Sequence, residues 1–293
     1  MNKVLVICGQ TATGKTDLGF YLAKKYNGEI ISADSRQVYK GMDIGTGKDI
    51  PDKNIPIYGI NLVEPDQEFS VSHFREYALQ KIDDIHKKNK LAIIVGGTGF
   101  YIDAVFSDTD LIDVPKNNEL RSELVDKTAS ELYQILLNLN QDVATGLNNS
   151  EKNNKQRLVR RIEIVTSDTL NRSSTYNDFD VLRIGLKLEK NRLEKRIQAR
   201  IKKRISQGFE QELHNLVEKY GELDIFSKTP GYKDFPSEET WLKSEMQYAK
   251  RQRTWFNKNK DIHWFEADDP DLRSSVEDCV GKWYSKVENA KKN

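Results

Sequence analysis

Residues 9–16 near the start of the chain have the types and spacing of a phosphate-binding loop. They read GQTATGKT, follow the apolar run 4–8 and precede a segment with helical spacing of apolar residues. Glycines at both ends let the backbone curl so that several N–H groups and a helix N-terminus face one anion. Lys15 supplies a point charge, and the Thr16 hydroxyl is placed to ligate Mg²⁺. The pattern predicts a strand, loop and helix that bind phosphate groups, without indicating which phosphate compound is held.

A carboxylate and a second glycine-rich loop also follow predicted strands. Asp34 comes directly after the short predicted strand 29–33, and the sequence GGTG at 96–99 follows the apolar run 91–95. Ligands of parallel sheets bind at the carboxyl ends of the strands, where both segments would lie. Asp34 could therefore ligate Mg²⁺ or act as a general base, and its structural alternative is to cap the next helix.

The composition is typical of a globular protein of the cytoplasm. The chain has 293 residues, of which 31% are charged and 37% are hydrophobic. No apolar run approaches the roughly 20 residues that cross a membrane, and the N-terminus lacks the pattern of a signal peptide. Two cysteines, Cys8 and Cys279, do not make a disulfide framework, and Cys8 is expected to be a small buried side chain.

Basic residues are clustered although the net charge is only +1. Residues 187–204 contain nine lysines and arginines against two glutamates, and further clusters occur at 155–161 and 250–253. Such stripes are compatible with a polyanionic partner, and each one taken alone is also compatible with a solvated helix face.

Apolar runs that alternate with helical segments predict an α/β fold with a parallel sheet flanked by helices. We expect long helices at 193–207, 209–220 and, as the last one, 237–259. The spacing of apolar residues changes after residue 115, because residues 117–167 have helical periodicity. We therefore expect a P-loop core of residues 1–115 and 178–293, with an all-helical insertion domain at 116–177. The expected strands are 4–8, 29–33, 57–63, 91–95, 181–186 and 262–265.

Seven motifs in this order resemble those of the tRNA dimethylallyltransferase family, also called tRNA isopentenyltransferases. They cover nearly the whole chain, and the later ones are far more specific than the P-loop. The motifs are GQTATGKT at 9–16, DSRQVY at 34–39, DIGTGK at 43–48, GGTGFY at 96–101, QRLVRRIEI at 156–164, GYKD at 231–234 and YAKRQRTWF at 248–256.

The resemblance implies transfer of a dimethylallyl group from dimethylallyl diphosphate to the exocyclic amine of the adenosine 3′-adjacent to the anticodon of tRNA. The P-loop would then hold a diphosphate leaving group together with Mg²⁺. Three other functions stay open at this point. They are an adenylate isopentenyltransferase acting on free AMP or ADP, a small-molecule P-loop kinase, and a non-catalytic RNA-binding protein.

The resemblance also implies catalytic residues. Asp34 would be the general base, and Thr16 and Lys15 would serve the diphosphate and the metal. Arg196 or Arg200 would match the family arginine that meets the diphosphate, with a slight preference for Arg196, and Lys233 is a weaker candidate. The diphosphate-binding residues would be Gly9, Gln10, Thr11, Ala12, Thr13, Gly14, Lys15 and Thr16.

By the same resemblance, a monomeric protein would bind the anticodon stem-loop of tRNA, partly through the helical insertion. Chemistry on a base in that loop requires its extrusion from the stack. Core packing remains an alternative role for the aromatic pair at 255–256. The expected tRNA contacts are Asp34, Ser35, Arg36, Gln37, Thr98, Arg121, Gln156, Arg157, Leu158, Val159, Arg160, Lys250, Arg251, Gln252, Arg253, Thr254 and Trp255.

Overall fold

The computed structural model describes residues 2–48, 50, 52–107, 114, 116–167 and 178–285. Within these ranges, no helix has the length and apolar character needed to cross a membrane. The chain divides into two compact units, one of residues 1–106 with 177–293 and the other of residues 107–176. The predicted junctions at residues 115 and 177 lie outside the described residues.

Six parallel strands of the first unit form one sheet in the order β3-β2-β4-β1-β5-β6, which confirms the predicted fold class. The phosphate-binding loop leaves the sheet from a strand with neighbours on both sides. The strands are β1 Lys3–Gly9, β2 Gly28–Ser32, β3 Ile57–Tyr58, β4 Leu91–Val95, β5 Asp180–Lys187 and β6 Ile262–Glu266.

Alternation of side chains along β1 supplies apolar groups to both faces of the sheet. Val4 and Val6 belong to one core cluster, whereas Leu5 and Ile7 belong to the other. The first cluster includes residues of α2 and α3, and the second includes residues of α1. Because both faces are covered at the centre of the sheet, the central strands β1 and β4 are buried and consist mostly of apolar residues. The helices concerned are α1 Lys15–Lys25, α2 Val71–Lys87 and α3 Gly99–Phe106.

The second unit is helical throughout its described residues. Its core is formed by leucines and isoleucines that recur at helical spacing, among them Leu132, Leu136, Leu158 and Ile162. All five of its described helices begin with a capping box or an asparagine cap. The helices are α4 Asn118–Leu124, α5 Ala129–Leu139, α6 Gln141–Thr145, α7 Asn149–Lys152 and α8 Lys155–Thr166.

Five further helices lie in the described residues of the first unit. The observed elements differ from the sequence-based prediction at the third strand and after the predicted last helix. The third strand was predicted at 57–63 but is short, because Gly59 and Asn61 take left-handed conformations and turn the chain away. Residues 237–259 were predicted to hold the last helix, and a further helix, α13, follows them. The added helices are α9 Lys190–Ser206, α10 Phe209–Tyr220, α11 Asp224–Lys228, α12 Glu238–Phe256 and α13 Leu272–Ser285.

Candidate active site

The loop between β1 and α1 has the closed form that its glycines predicted. Gly9 and Gly14 have φ of 128° and 83°, and a Cβ at Gly9 would fall 2.1 Å from the backbone oxygen of Leu186. The carbonyl of Gln10 accepts a hydrogen bond of 2.6 Å from Lys15 Nζ. These constraints hold the loop around a concave surface that begins at the N-terminus of α1, where anions are stabilised.

A cavity of about 540 Å³ opens over this loop, and we call it the loop cavity. Its wall combines phosphate-binding groups from the P-loop with cations from α9 and residues of the loop at 43–48. This arrangement suits a small molecule with several negative charges. Its polar lining includes Thr11, Lys15, Thr16, Asp17, Asp34, Thr46, Lys48, Arg200, Lys203, Arg204, Tyr248 and Gln252.

Lys15 is an ammonium group of this cavity with a lowered pKa. Burial and, to a smaller extent, the nearby Arg200 lower the pKa of Lys15 to about 8, while Asp34 partly opposes both. An anion bound at the loop would restore the ammonium form, because an opposite charge nearby favours the charged state.

We therefore expect the affinity for dimethylallyl diphosphate to fall as the pH rises above about 8. Below that pH Lys15 is already protonated, whereas above it binding must take up a proton, which costs up to about tenfold in affinity per pH unit. Calorimetric titration between about pH 7 and about pH 9 measures the effect. In Lys15→Met the affinity should be weaker and should lose this dependence; an equally steep fall in that variant would assign the proton to another group.

The structure distinguishes the two arginines that the sequence left as alternatives. Arg200 Nη2 donates to Thr11 Oγ1 at 2.7 Å and contacts Glu245 Oε2 at 3.2 Å. Arg196 is exposed and its guanidinium lies 3.5 Å from the carbonyl of Ala267. The position of Arg196 therefore gives no support to the preference for it, because Arg200 lines the loop cavity and Arg196 does not.

Glu245 holds a second arginine beside the first. Its carboxylate is buried and accepts hydrogen bonds from Arg200 and, at 3.1 Å, from Arg204 Nη1. Burial and, to a smaller extent, the neighbouring Arg200 lower the pKa of Arg204 to about 10, while Glu245 partly opposes both. A buried carboxylate shared by two arginines fixes the orientation of both, since leaving any of the three unpaired would be costly.

Asp34 lies where the loop cavity meets a second cavity of about 230 Å³, which we call the side cavity. Its Oδ1 accepts the backbone N–H of Arg36 at 2.8 Å, so a tight turn holds the carboxylate at the end of β2. Thr11, Arg200 and Tyr248 line both cavities as well. A molecule bound in the loop cavity and a second molecule bound in the side cavity could therefore both contact Asp34.

Tyr248 is a lining residue that the sequence analysis missed as a site residue. Burial raises its pKa and the nearby Asp34 raises it further, whereas a hydrogen bond with Thr98 lowers it. Tyr248 therefore presents a neutral phenol beside the carboxylate. Its place in YAKRQRTWF was visible, but only the helical face that it shares with Glu245 could have indicated this position.

Gln252 joins the P-loop to the glycine-rich loop at 96–99. Its Oε1 accepts the backbone N–H of Thr11 at 2.7 Å, and its Nε2 donates to the carbonyl of Gly97 at 3.1 Å. The side chain is buried and bonded to both loops, so its position gives no support to the prediction that Gln252 contacts tRNA. The amide is suited to this position because one end accepts a hydrogen bond while the other donates one.

Removing this link in Gln252→Ala should lower kcat/KM for dimethylallyl diphosphate about tenfold. The variant leaves the N–H of Thr11 and the carbonyl of Gly97 without that partner, which allows the loop to shift. Steady-state kinetics measures the loss, and the exposed Gln247→Ala on the same helix should not change this parameter. Equal kinetics for Gln252→Ala and the unmodified chain would show that the two loops keep their positions without the amide.

Comparison with known proteins assigns the chain to a family. A family model described as IPP transferase matches residues 37–259, and one described as isopentenyl transferase matches residues 2–64. The chain belongs to the IPP transferase family. It is 36% identical to tRNA dimethylallyltransferase 2 of Geotalea uraniireducens, over 90% of this chain and 92% of that protein. It is 35% identical to tRNA dimethylallyltransferase of a Picosynechococcus strain, over 92% and 95%.

Solved structures of IPP transferases share this fold. The full-length tRNA isopentenylpyrophosphate transferase of Bacillus halodurans is 29% identical, with a TM-score of 0.73 and complete coverage of both chains. A eukaryotic dimethylallyltransferase described as acting on tRNA is 26% identical, with a TM-score of 0.77, over 99% of this chain and 79% of that one.

The predicted tRNA contacts of the IPP transferase core fall into two groups. Four residues of α12 are exposed, namely Lys250, Arg251, Arg253 and Thr254. Several of the others are engaged within the core. The Trp255 indole donates to Asp103 Oδ2 at 2.6 Å, Gln37 Nε2 donates to the carbonyl of Gly47 at 3.2 Å, and Thr98 Oγ1 accepts the N–H of Ser35 at 3.0 Å.

Arg36 lies at the side cavity, whereas Lys233 lies at neither cavity. Arg36 lines the side cavity with Arg251 and Lys228, a lysine that the sequence analysis missed. Lys233 is exposed and is not among the residues that line either cavity, so its candidacy for the diphosphate finds no geometric support.

The predicted contacts in the helical insertion also divide by burial. Arg121 and Arg160 are ion-paired with the buried Glu163, at 2.6 Å and 3.0 Å for the closest atoms. Leu158 is fully buried in the core of this unit, so the prediction that its side chain contacts tRNA is wrong. Gln156 and Arg157 are exposed, and Val159 is half-buried. A helix turns its successive residues to different sides, which a contiguous motif conceals.

Proposed function

We propose that this chain is a tRNA dimethylallyltransferase, which transfers a dimethylallyl group to the exocyclic amine of the adenosine immediately 3′ of the anticodon. The names of its relatives support this reaction class, and a solved neighbour is described as acting on tRNA. The observation that carries the proposal is the position of Asp34, since this carboxylate lines both the loop cavity and the side cavity.

The loop cavity would hold dimethylallyl diphosphate by its diphosphate. The amides of residues 9–16 and the ammonium of Lys15 would contact the phosphate oxygens, and Arg200 would meet the oxygen that leaves. Negative charge grows on that oxygen as its bond to the allylic carbon breaks. Donors that are already fixed, as Arg200 is by Glu245 and Thr11, stabilise such charge without reorganisation.

The side cavity would receive the extruded adenine. Its exocyclic nitrogen attacks the first carbon of the dimethylallyl group, the carbon–oxygen bond breaks, and the electron pair leaves with diphosphate. The nitrogen then gives its extra proton to a carboxylate oxygen of Asp34. An adenine amine is a poor nucleophile because its lone pair is delocalised, so a base within hydrogen-bond reach assists the step.

The donor set beside the loop fits a Mg²⁺ ion that takes most of its ligands from phosphates and water. The described residues contain no group of three or more histidine, cysteine or acidic side chains that could hold a metal by themselves. Thr16 and Asp17 line the loop cavity and offer one hydroxyl and one carboxylate. Bound there, Mg²⁺ would neutralise charge on the diphosphate.

The tRNA would be contacted by exposed and half-buried basic groups of both units. In the core these are the arginines and lysine of α12 with Arg36, and in the insertion they include Arg157, Arg121 and Arg160. Arginine and lysine hold the RNA backbone while the loop bases are read by stacking and hydrogen bonds. We further propose that the enzyme acts as a monomer in the cytoplasm.

A transfer assay with competing acceptors tests the proposed function. Purified protein, Mg²⁺ and radiolabelled dimethylallyl diphosphate are offered unmodified tRNA in one reaction and AMP in another. Label should enter tRNA at a rate at least about a hundredfold above that for AMP, since the basic surfaces contact only the polynucleotide. Faster labelling of AMP would assign the chain to the free-nucleotide reaction, and ATP turnover without transfer would assign it to a kinase.

A further inference from the structure

One carboxylate beyond the loop cavity accepts hydrogen bonds from three consecutive backbone amides. Glu212 of α10 accepts from the N–H of Asp43 at 2.9 Å, of Ile44 at 2.6 Å and of Gly45 at 2.9 Å. The hydroxyl of Tyr232 donates to the same carboxylate at 2.6 Å. Hydrogen bonds to an ionised acceptor are about twice as strong as neutral ones, so this carboxylate fixes the backbone of the DIGTGK loop.

Close packing limits that loop to one position against α10. A Cβ added at Gly45 would fall 2.5 Å from ring atoms of both Phe209 and Tyr232. At the other end of the loop, Lys48 Nζ donates to Asp43 Oδ1 at 2.8 Å and to Asn61 Oδ1 at 2.6 Å. The ammonium of Lys48 thus links the two ends of the loop and also binds the loop to Asn61.

The fastened loop forms part of the wall of the loop cavity. Thr46, Gly47 and Lys48 all line that cavity. A Cβ at Gly47 would fall 2.5 Å from Arg204 Nη2, so the loop backbone lies directly against Arg204. Arg204 in turn shares its carboxylate partner with Arg200. A chain of direct contacts therefore runs from Glu212 through the loop to the arginine that contacts the P-loop.

We infer that Glu212 is a positioning residue for diphosphate binding, although it does not line the loop cavity itself. It holds residues 43–45 so that the following part of the loop encloses the diphosphate and supports Arg204. The inference rests on the proposed function, since it takes the diphosphate as the occupant of the loop cavity. It assigns no contact with tRNA to Glu212.

The test compares Glu212→Gln with Glu210→Gln. Glu210 is exposed and lies in the same turn of α10, so its replacement makes the same chemical change away from the loop. Glutamine keeps the volume of the side chain and one acceptor oxygen, but it carries no negative charge. Its NH₂ group replaces the second oxygen and cannot accept a hydrogen bond from a backbone N–H of the loop. The Kd for dimethylallyl diphosphate with Mg²⁺ should rise about tenfold in Glu212→Gln, the cost of one such hydrogen bond, and stay unchanged in Glu210→Gln. Affinity for the anticodon stem-loop and Tm should change little in both.

Gly45→Ala tests the same anchor without altering a charge. Its added methyl group pushes the loop away from Phe209 and Tyr232, so it should also weaken diphosphate binding about tenfold. Unchanged diphosphate affinity in Glu212→Gln would overturn the inference, as would an equal loss of tRNA and diphosphate affinity with a lowered Tm. An unmodified chain that binds no dimethylallyl diphosphate would instead overturn the proposed function.

Discussion

Replacing Asp34 by asparagine should lower the rate of dimethylallyl transfer about a thousandfold while leaving tRNA affinity within about twofold. Asparagine keeps an oxygen at the position of Oδ1, so the 2.8 Å hydrogen bond from the Arg36 N–H and the turn at the end of β2 are preserved. It lacks a basic oxygen that can accept a proton from the adenine amine. We therefore expect the rate of the chemical step to fall, while the affinities for dimethylallyl diphosphate and for tRNA are retained.

Single-turnover transfer at saturating dimethylallyl diphosphate measures that step, and filter binding measures tRNA affinity. Asp66→Asn is a suitable control because this exposed carboxylate lies outside both cavities. If Asp34→Asn keeps a transfer rate within tenfold of the unmodified chain, the base must be another group. If it binds tRNA poorly, the carboxylate serves in recognition.

Replacing Arg200 by methionine should lower kcat at least about a hundredfold, the second-largest effect that we expect. The loss of one fixed donor to a developing negative charge has about this cost in other active sites. Methionine retains much of the aliphatic stem but removes the guanidinium that contacts Thr11 Oγ1 at 2.7 Å. Glu245 keeps Arg204 as its partner, so the buried carboxylate does not lose all of its compensation.

Arg196→Met provides a matched control on the same helix. The residue is exposed one turn away, and its replacement should change kcat less than about twofold. Initial rates at saturating substrates, with Tm measured for both variants, separate the chemical effect from loss of folding. A larger loss in Arg196→Met than in Arg200→Met would restore the assignment that the sequence favoured.

Local signals explain which parts of this site could be predicted. The P-loop is a contiguous motif, and its strand and helix are encoded in the neighbouring residues. Asp34 could be placed because a residue that follows a strand of a parallel sheet reaches the ligand-binding edge. Cys8 was expected to be a buried small side chain, and it is almost fully buried.

Positions that depend on packing between distant elements could not be predicted in the same way. Arg196 and Arg200 share a helix face at i and i+4, so spacing alone cannot say which one is level with Thr11. That distinction depends on where α9 lies along the end of β1. The three amides around Glu212 likewise come from a loop that is distant in sequence.

Two features could have been recognised from the helical periodicity of the residues, namely the burial of Gln252 and the presence of α13. Glu245, Ala249, Gln252 and Phe256 recur at i, i+4, i+7 and i+11, and all four are buried on one side of α12. The motif at 248–256 was treated as one RNA-binding surface, which concealed the inward place of Gln252. The final helix was missed although Leu272, Val276 and Val280 have the same helical spacing.

The most direct measurement of the central claim is to map the transferred group on a pair of anticodon stem-loops. One stem-loop carries adenosine immediately 3′ of the anticodon, and the other carries guanosine there and is otherwise identical. With radiolabelled dimethylallyl diphosphate and Mg²⁺, we expect label only in the first, on the exocyclic amine of that adenosine, and none when Asp34→Asn replaces the unmodified chain. Equal labelling of both stem-loops, or label that persists in Asp34→Asn, would contradict the account.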